Sequence, residues 1–369
     1  MEEYIGKYFN QVNDPRSIRN QRYNFITLIG TSLLAMLSGV DSFSGMQDYT
    51  ECHKLEIQKY FNLQNGVPSH DTYQRFWDNV NPREFLNSFQ IFTEALSKFT
   101  SDIINIDGKT IRNSGNVDKA PLHIVSAWCR ANQLVLSQEK VDSKSNEITA
   151  IPKLLKLLDL ENKIITIDAM GAQREICQQI INQGGDYVIC LKGNQGTLYK
   201  DVKLYLDDEL NHEYINEDND KGHGRIEQRT SVITDKIDWL QDLHKWPGLK
   251  SVGMVKSHIT RVKNGKESKD IRYYISSLEA NAGRLNEIAR SHWSIENQLH
   301  WRLDVTFNED KSCIRNDLAS ENMDILRKWA LNIMGQAKEK PSQSIKSVMR
   351  KNSMSFNYLI NNVKKFFHA

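Results

Sequence analysis

Cysteine is scarce in this sequence, and its cysteines follow no metal-binding or disulfide pattern. The five are widely spaced, odd in number and without a CxxC pair: Cys52, Cys129, Cys177, Cys190 and Cys313. This arrangement argues against a disulfide framework and against a thiolate zinc site. We therefore expect a protein of the reducing cytoplasm.

The chain also lacks a strong excess of charge and a long apolar run. Its 48 Lys and Arg stand against 46 Asp and Glu, so the net charge of +2 over 369 residues indicates no polyanionic partner by itself. The N-terminus lacks the basic-then-apolar order of a secretory signal. The most apolar stretch, 25–40, is short and interrupted by polar residues, which predicts a buried helix and no membrane partner.

The hydrophobic pattern changes near residue 100. Before it, apolar residues recur at helical spacing, as in Ile26, Ile29, Leu33 and Leu37, and Ser69 or Asp71 is expected to cap a helix. After it, the pattern predicts strands at 103–106, 122–129, 133–141, 163–167 and 186–191, with helices at 148–158 and 173–182. Three strands, then helix, strand, helix and strand is the order of an RNase H-like α/β sheet.

Beyond residue 192 the pattern predicts a helix and then an inserted β region. The helix at 197–210 leads into an acidic, Asn-rich segment, 211–220, which reads as a loop. Strands are predicted at 225–233, 251–262 and 271–277, and helices return at 286–303 and 317–334. The last segment, 338–365, carries seven Lys and Arg against one acid, Glu339.

Two aspartates directly follow apolar strands. Asp107 comes after Ile106 and Asp168 after Ile167, so each carboxylate is expected where a strand leaves the sheet. Burial of two carboxylates there costs free energy unless a partner compensates, and a hard divalent cation is the usual partner. Either Asp alone fits ordinary turn chemistry equally well. The pair predicts a Mg²⁺ or Mn²⁺ site.

A third carboxylate, Glu296, lies on the predicted helix 286–303. The apolar residues Trp293, Ile295 and Leu299 would hold this helix against the core, so that Glu296 faces the two aspartates. Three oxygen ligands suit two hard cations that activate a hydroxyl and stabilise a leaving oxygen at phosphorus. Taken alone, a helical Glu is usually a solvated surface residue.

The same helix permits a zinc interpretation. His292, Glu296 and His300 fall at i, i+4 and i+8, and neutral imidazoles favour zinc over magnesium. The spacing departs from HExxH, and spacing alone carries a high false-positive risk.

Several runs together carry a family resemblance. They are 14–16 (DPR), 68–72 (PSHDT), 106–112 (IDGKTIR), 168–173 (DAMGAQ), 185–195 (GDYVICLKGNQ), 222–229 (GHGRIEQR) and 292–310 (HWSIENQLHWRLDVTFNED). In this order they closely resemble the H-repeat-associated insertion-sequence transposases. The resemblance extends over nearly the whole chain, up to about Trp329.

The resemblance implies that Asp107, Asp168 and Glu296 are the catalytic DDE triad and hold Mg²⁺ or Mn²⁺, with two ions expected. It implies a helical N-terminal DNA-binding or associated domain (1–99), an RNase H-like catalytic domain (100–195 and 285–337), a β-rich insertion (196–284) and a basic C-terminal tail (338–369). Glu296 follows Asp168 by 128 residues, which leaves room for such an insertion.

The implied activity is metal-dependent DNA cleavage and strand transfer at the ends of an insertion sequence. The expected partners are terminal inverted repeats and target DNA, bound by a homodimer or larger synaptic assembly that is nucleoid-associated when on DNA. A metal-dependent nuclease or domesticated relative without strand joining is the alternative, and a DNA-binding relic with an inactive site is a third.

One departure concerns related transposases with such an insertion, which often place a Tyr, an Arg and a Lys around the catalytic Glu. The corresponding positions here are Ala289, His292 and Leu303. The way in which a cut DNA end is held, and whether a hairpin intermediate is used, therefore stay open.

Nine residues are candidates for DNA contact because they are basic, amide-bearing or aromatic near the expected site: Lys109, Arg112, Lys192, Asn194, Arg225, Arg229, His292, Trp293 and His300. Each of these residues also has an ordinary structural interpretation. Lys109 and Arg112 suit a solvated loop, Lys192 and Asn194 a turn, and Arg225 and Arg229 ion pairs along a strand. Core packing is the expected role of Trp293 and Trp301. The basic tail reads as a solvated helix face or a nonspecific DNA contact.

Overall fold

The structure, a computed structural model, describes residues 1–9, 11–17, 19, 21–97, 102–222 and 224–367. The predicted boundary between residues 99 and 100 and the residue His223 lie outside these ranges. Within them the helices are α1 (Glu2–Phe9), α2 (Phe25–Leu37), α3 (Phe43–Cys52), α4 (Lys54–Ile57), α5 (His70–Trp77), α6 (Pro82–Ser97), α7 (Glu147–Leu155), α8 (Arg174–Asn182), α9 (Gly196–Asp207), α10 (Asp238–His244), α11 (Ala282–Ser294), α12 (Trp301–Val305), α13 (Asp317–Gln336), α14 (Ile345–Met354) and α15 (Phe356–Phe367). The strands are β1 (Ile103–Ile111), β2 (Leu122–Cys129), β3 (Leu134–Lys140), β4 (Ile164–Ile167), β5 (Asp186–Leu191), β6 (Tyr214–Gly222), β7 (Arg225–Thr234), β8 (Ser251–Arg261) and β9 (Glu267–Ser276).

The N-terminal region is helical, as its periodicity predicts. The Asn24 side chain caps α2 by accepting a hydrogen bond from the backbone N–H of Thr27 (2.6 Å), and Ser69 caps α5 in the same way. Eleven residues of α2 are buried, so its apolar composition serves the core. In the described part of the chain no helix is both long and apolar enough to cross a bilayer.

The first five strands form an RNase H-like sheet, which confirms the predicted fold class. They are ordered β3-β2-β1-β4-β5, with antiparallel pairing among β1, β2 and β3 and parallel pairing from β1 to β4 and β5. The strands around β4 are apolar because helices cover both faces of a parallel sheet. On one face, α7 and α8 bury Ile151, Leu154 and Ile176 against the sheet.

The β region between β5 and α11 continues this sheet. Strand β9 pairs antiparallel with β5, and β8, β7 and β6 follow outward, giving one mixed sheet of nine strands among the described residues. The interpretation of 211–220 as a loop is wrong, because β6 pairs with β7 along its whole length. Strand β6 is polar on both faces, so it lacks the apolar alternation by which a strand is recognised.

A helical layer closes the other side of the molecule. Helix α13 is buried along most of its length, and its Asn332 side chain bonds both the N–H (2.8 Å) and the C=O (2.9 Å) of Val135 in β3. The segment predicted as a basic tail forms α14 and α15. Their apolar residues, such as Val348 and Leu359, join the same core as α2 and α6, while their charged residues face outward.

Candidate active site

Asp107, Asp168 and Glu296 line one cavity of about 250 Å³, although they come from three distant parts of the chain. Strands β1 and β4 are adjacent and in register, with Ile106 opposite Ile167. The two aspartates are each the next residue, so the sheet delivers both carboxylates to one edge. Strand β1 does not end at Ile106 as predicted. It continues to Ile111 through antiparallel pairing with β2.

Backbone hydrogen bonds hold Asp168 at the end of β4. Its Oδ1 accepts from the N–H of Met170 (3.0 Å) and of Gly171 (3.4 Å), at the start of a short 3₁₀ turn. Asn194, in the short 3₁₀ turn that follows β5, donates a hydrogen bond from its side-chain amide to the carbonyl of Ala169 (2.7 Å). Asn194 therefore fixes the turn that presents Asp168.

Glu296 lies in a π-helical segment, Ile295–His300, between α11 and α12. The sequence predicts one continuous α-helix here. A π segment adds a residue to the turn, and such segments recur at functional sites. It also ends the i, i+4, i+8 alignment of His292, Glu296 and His300. Among the residues that the structure describes, no three His, Cys, Asp or Glu side chains form a ready-made metal-ligand group, and this holds for the zinc set and for Asp107, Asp168 and Glu296 alike.

A buried chain of hydrogen bonds connects the three elements of the site. The Thr166 hydroxyl donates to Oδ1 of Asn105 (2.9 Å) and lies 3.0 Å from Nδ1 of His292. The Asn105 amide in turn donates to the Ser291 hydroxyl (3.2 Å). Asn105 and Thr166 stand two residues before Asp107 and Asp168. The sequence interpretation overlooked both, although a polar residue inside each Ile-rich strand was the available signal.

Negative charge is concentrated around Asp107. Burial raises the pKa of this carboxyl to about 7, and the nearby carboxylates of Glu147, Asp168 and Glu296 contribute to the increase. Burial and Glu147 also raise the pKa of Asp168, against the lowering effect of its backbone hydrogen bonds.

Glu147, at the start of α7, is a fourth carboxylate that the sequence interpretation missed. Its Oε1 lies 2.8 Å from Nε2 of His123 in β2. A Cβ atom at position 108 would collide with the Glu147 carboxylate and lie 2.8 Å from Nε2 of His123, so the glycine leaves room for these two side chains against β1.

The donor set suits a hard divalent cation. The carboxylates of the cavity supply oxygen alone, and their mutual repulsion is relieved by positive charge placed among them. His292 and Cys190 also line the cavity, and Nδ1 of His292 lies 3.0 Å from the Thr166 hydroxyl.

Both histidines are neutral at physiological pH. Burial lowers the pKa of His292 to about 4, aided by the positive charges of Arg272 and Lys192. Burial, Lys328 and Lys109 lower the pKa of His300 to about 3. The Nδ1 atom of His300 lies 3.7 Å from Oδ2 of Asp107, a contact between an uncharged ring and the carboxyl group.

Lys109 is enclosed by acids. Its Nζ lies 2.8 Å from Asp304, 2.9 Å from Glu309 and 3.2 Å from Asp310, and its side chain is 11% exposed. These ion pairs attach β1 to α12 and to the segment that follows it. Arg112 is 81% exposed and contacts Asp310 through Nε at 3.3 Å, so it remains open to solvent.

The remaining candidates for DNA contact surround the cavity. Lys192 and Trp293 line it, and the guanidinium carbon of Arg272 lies 3.9 Å from the centroid of the Trp293 ring. The expected core packing of the two tryptophans is wrong, since Trp293 is 39% and Trp301 56% exposed. Arg225 and Arg229 line a neighbouring cavity on the β7 side.

Comparison with known proteins gives a consistent result. A family profile described as "Transposase DDE domain" matches residues 98–333, and one described as "DDE_Tnp_1-associated" matches residues 6–93. The chain is 36% identical over 364 residues to "Putative protein YbfL" and to "H repeat-associated putative transposase YhhI", both of Escherichia coli K12. Each alignment covers 96% of this chain and 96% of the relative.

A third relative, "Putative transposase YncI" of Escherichia coli O157:H7, is 34% identical, with 90% of this chain and 87% of the relative covered. Among solved structures, the piggyBac transposase synaptic complex with hairpin DNA aligns at a TM-score of 0.42 and 11% identity, covering 99% of this chain and 77% of that one. That overlap is too low to support an inference about fold or function.

Proposed function

Because the chain belongs to the transposase DDE domain family, of the insertion-sequence type, we propose that it cuts and joins DNA strands at the ends of its element by metal-dependent phosphoryl transfer. The observation that carries the proposal is the meeting of Asp107, Asp168 and Glu296 in one cavity. In this proposal the three side chains are the catalytic triad.

Mg²⁺ or Mn²⁺ is the proposed cofactor, with two ions expected, held by Asp107, Asp168 and Glu296. When bound, the metal would lower the barrier for attack of a hydroxyl on a phosphodiester. The oxygen-only donor set and the raised pKa of Asp107 support this assignment.

The chain's own residues would orient the reacting groups. Asp168 is fixed by the N–H groups of Met170 and Gly171, while Glu296 is an exposed side chain four residues after His292, which the hydrogen-bond chain holds. Lys192 at the cavity would attract the DNA backbone as a point charge. The fixed carboxylates reduce the entropy lost when the scissile bond is aligned.

DNA is the proposed partner, as the terminal repeats of the element and as target. A reaction that joins two ends requires two active sites in one assembly, so we propose a homodimer or a larger synaptic complex. The helical region before β1 is the proposed site for recognition of the terminal repeats.

The test is a cleavage and joining assay with the full chain. Labelled duplexes that carry the sequences flanking the gene are incubated with plasmid target in Mg²⁺, in Mn²⁺ or in EDTA. We expect nicked ends and joined products with either metal and none in EDTA. Hydrolysis without joined product would instead favour a nuclease.

Matched variants separate catalysis from binding. Asp107→Asn, Asp168→Asn and Glu296→Gln should each lower cleavage by roughly a thousandfold or more while DNA binding persists. Metal binding can also be measured without a cleavage assay, through the melting temperature. Mn²⁺ should raise the melting temperature of the wild type and leave that of Asp107→Asn unchanged. Unchanged cleavage by the Asp107 variant would contradict the proposal.

A further inference from the structure

A second cavity of about 380 Å³ adjoins the cavity of the triad. We call it the arginine cavity because, among the described residues that line it, five are arginines: Arg130, Arg225, Arg229, Arg272 and Arg290. Glu227 and Asp270 are the acids in the same described lining, and Asp218 and Asp220 contact Arg290 from outside it, so five arginines face four acids and a small positive excess remains. The two cavities have Arg272, Tyr274 and Trp293 in common.

Three of these arginines are held in ion pairs that shape the wall. Arg229 contacts Glu227 at 2.6 Å and Arg272 contacts Asp270 at 2.7 Å. Arg290 is held by two acids of β6, Asp218 and Asp220, each at 2.7 Å. These pairs fix the guanidinium groups before any ligand arrives.

The other two arginines keep their charge available. Arg225 is 52% exposed, and its nearest acid, Glu227, lies 3.9 Å away. Arg130 is exposed at the end of β2, and the part of the chain that the structure describes gives it no ion pair. An anion in the cavity would find both side chains free to reorganise around it.

The lining also contains buried polar atoms that make no hydrogen bond among the described residues. Two are donors, the Ser294 hydroxyl and Nη1 of Arg229, and two are acceptors, Oδ1 of Asn286 and Oε1 of Gln298. Nη1 of Arg229 also lies 3.9 Å from Oδ2 of Asp218. Buried polar groups are nearly always satisfied in folded proteins, so these atoms indicate a polar ligand, and the exposed charges of Arg130 and Arg225 favour an anionic one.

The position of the cavity identifies the ligand. Ser294 and Asn297 line the arginine cavity, while Glu296, on the same turn of helix, lines the triad cavity. We propose that the arginine cavity binds the DNA backbone directly beside the phosphodiester that is cut, with Arg130 and Arg225 as the main phosphate contacts. This inference rests on the proposed function. It assigns the main contacts with the DNA end to residues outside the helix that carries Glu296.

The first test measures the salt dependence of binding. The full chain in EDTA, where no cutting occurs, is titrated with a fluorescent duplex of the flanking sequence at several NaCl concentrations. Arg130→Gln and Arg225→Gln should each raise Kd roughly tenfold and reduce the slope of log K against log[salt] by about one. Lys156→Gln, which removes one exposed charge at the C-terminal end of α7, is the control and should leave both almost unchanged.

The second test locates the contact on the DNA. Single phosphates of the duplex are replaced one at a time by neutral methylphosphonates. The wild type should lose affinity at one or two phosphates next to the cleavage position, and the Arg130→Gln/Arg225→Gln variant should show no further loss at those positions, because the same interaction is already absent. Melting temperatures equal to that of the wild type would exclude misfolding of the variant.

The outcomes distinguish this inference from the proposed function. If DNA is cut normally but the arginine variants keep the wild-type slope and methylphosphonate profile, the arginine cavity is not the backbone site. Equal effects of Lys156→Gln and the arginine variants would overturn it as well. If the arginine variants behave as expected but neither Mg²⁺ nor Mn²⁺ supports cleavage, the phosphate contacts stand and the proposed catalysis fails.

Discussion

The hydroxyl of Thr166 lies 3.0 Å from Nδ1 of His292, across 126 residues of sequence. Thr166 belongs to β4, which ends directly before Asp168, and His292 stands four residues before Glu296. Because the Thr166 hydroxyl also donates to Asn105, which precedes Asp107 by two residues, one hydroxyl group holds together the three elements that carry the triad.

Replacement of Thr166 by Val should therefore affect both stability and activity. The change keeps the shape of the side chain and removes both hydrogen bonds, so we expect a loss of about 1–3 kcal/mol in the free energy of unfolding. Cleavage should fall roughly a hundredfold, because small displacements of reacting groups are costly. Urea unfolding and single-turnover cleavage measure the two effects.

Thr93→Val is the matched control for this variant. Thr93 is buried in α6, and its hydroxyl donates to the Phe89 carbonyl within the same helix. The Thr93→Val substitution should change the free energy of unfolding only slightly and leave the cleavage rate unchanged. Equal loss of cleavage in the two variants would argue against a positioning role for Thr166.

Gly108→Ala should disturb the site by a steric route. The added Cβ would collide with the Glu147 carboxylate and would lie 2.8 Å from Nε2 of His123, and overpacking of this kind costs about 1–3 kcal/mol. The double variant Gly108→Ala/Glu147→Ala should recover part of that loss, because it removes the clash with Glu147 and keeps the contact with His123. Chemical denaturation of the single and double variants measures the coupling.

Gly222→Ala is the control for Gly108→Ala, because a Cβ atom at position 222 would contact no other residue. Additive losses in the double variant would show that residues 108 and 147 do not press on each other.

Asp107→Asn should stabilise the metal-free protein at alkaline pH. The pKa of Asp107 in the folded protein, about 7, lies above the ordinary value of 3.8, so protonation favours folding. The stability that this proton provides is complete below about pH 4 and lost as pH rises through about 7. The neutral amide avoids that loss, which is on the order of 4 kcal/mol at pH 8.

Thermal unfolding of the wild type and the variant in EDTA from pH 4 to pH 8 measures this difference. The gap between their melting temperatures should widen with pH up to about 7 and then level off. A gap independent of pH would mean that the charge of Asp107 is not its cause.

Lys109→Gln should destabilise the fold more than it weakens DNA binding. Removal of the ammonium leaves the carboxylates of Asp304, Glu309 and Asp310 without their shared cation, and loss of one partner of a buried ion pair costs about 3–5 kcal/mol. Arg112→Gln, at an exposed position, should cost less than about 0.5 kcal/mol. Unfolding free energies and DNA affinity are compared for both variants.

A large loss of DNA affinity in the Lys109 variant, with unchanged stability, would contradict this expectation. Such a result would instead support the first interpretation of Lys109, as a residue that contacts the DNA phosphates.

Local sequence determined most of the elements and the order of the strands. The Ile-rich runs before Asp107 and Asp168 predict β1 and β4, and right-handed crossovers between parallel strands then leave little choice for the sheet that follows. Strand β6 was not predicted, because both of its faces are polar and its sequence has no alternation of apolar and polar residues. Its conformation depends on pairing with β7.

The sequence alone thus determined the fold class and the family, and it predicted the three carboxylates, because each of these signals lies in short runs of neighbouring residues. Only the tertiary structure decided what surrounds those carboxylates. The π segment at Glu296, the link from Thr166 to His292, the approach of Glu147 and the enclosure of Lys109 all join residues that are distant in the chain or depend on one extra residue in a turn. Such contacts depend on the packing of the sheet against its helices, and no local pattern encodes them.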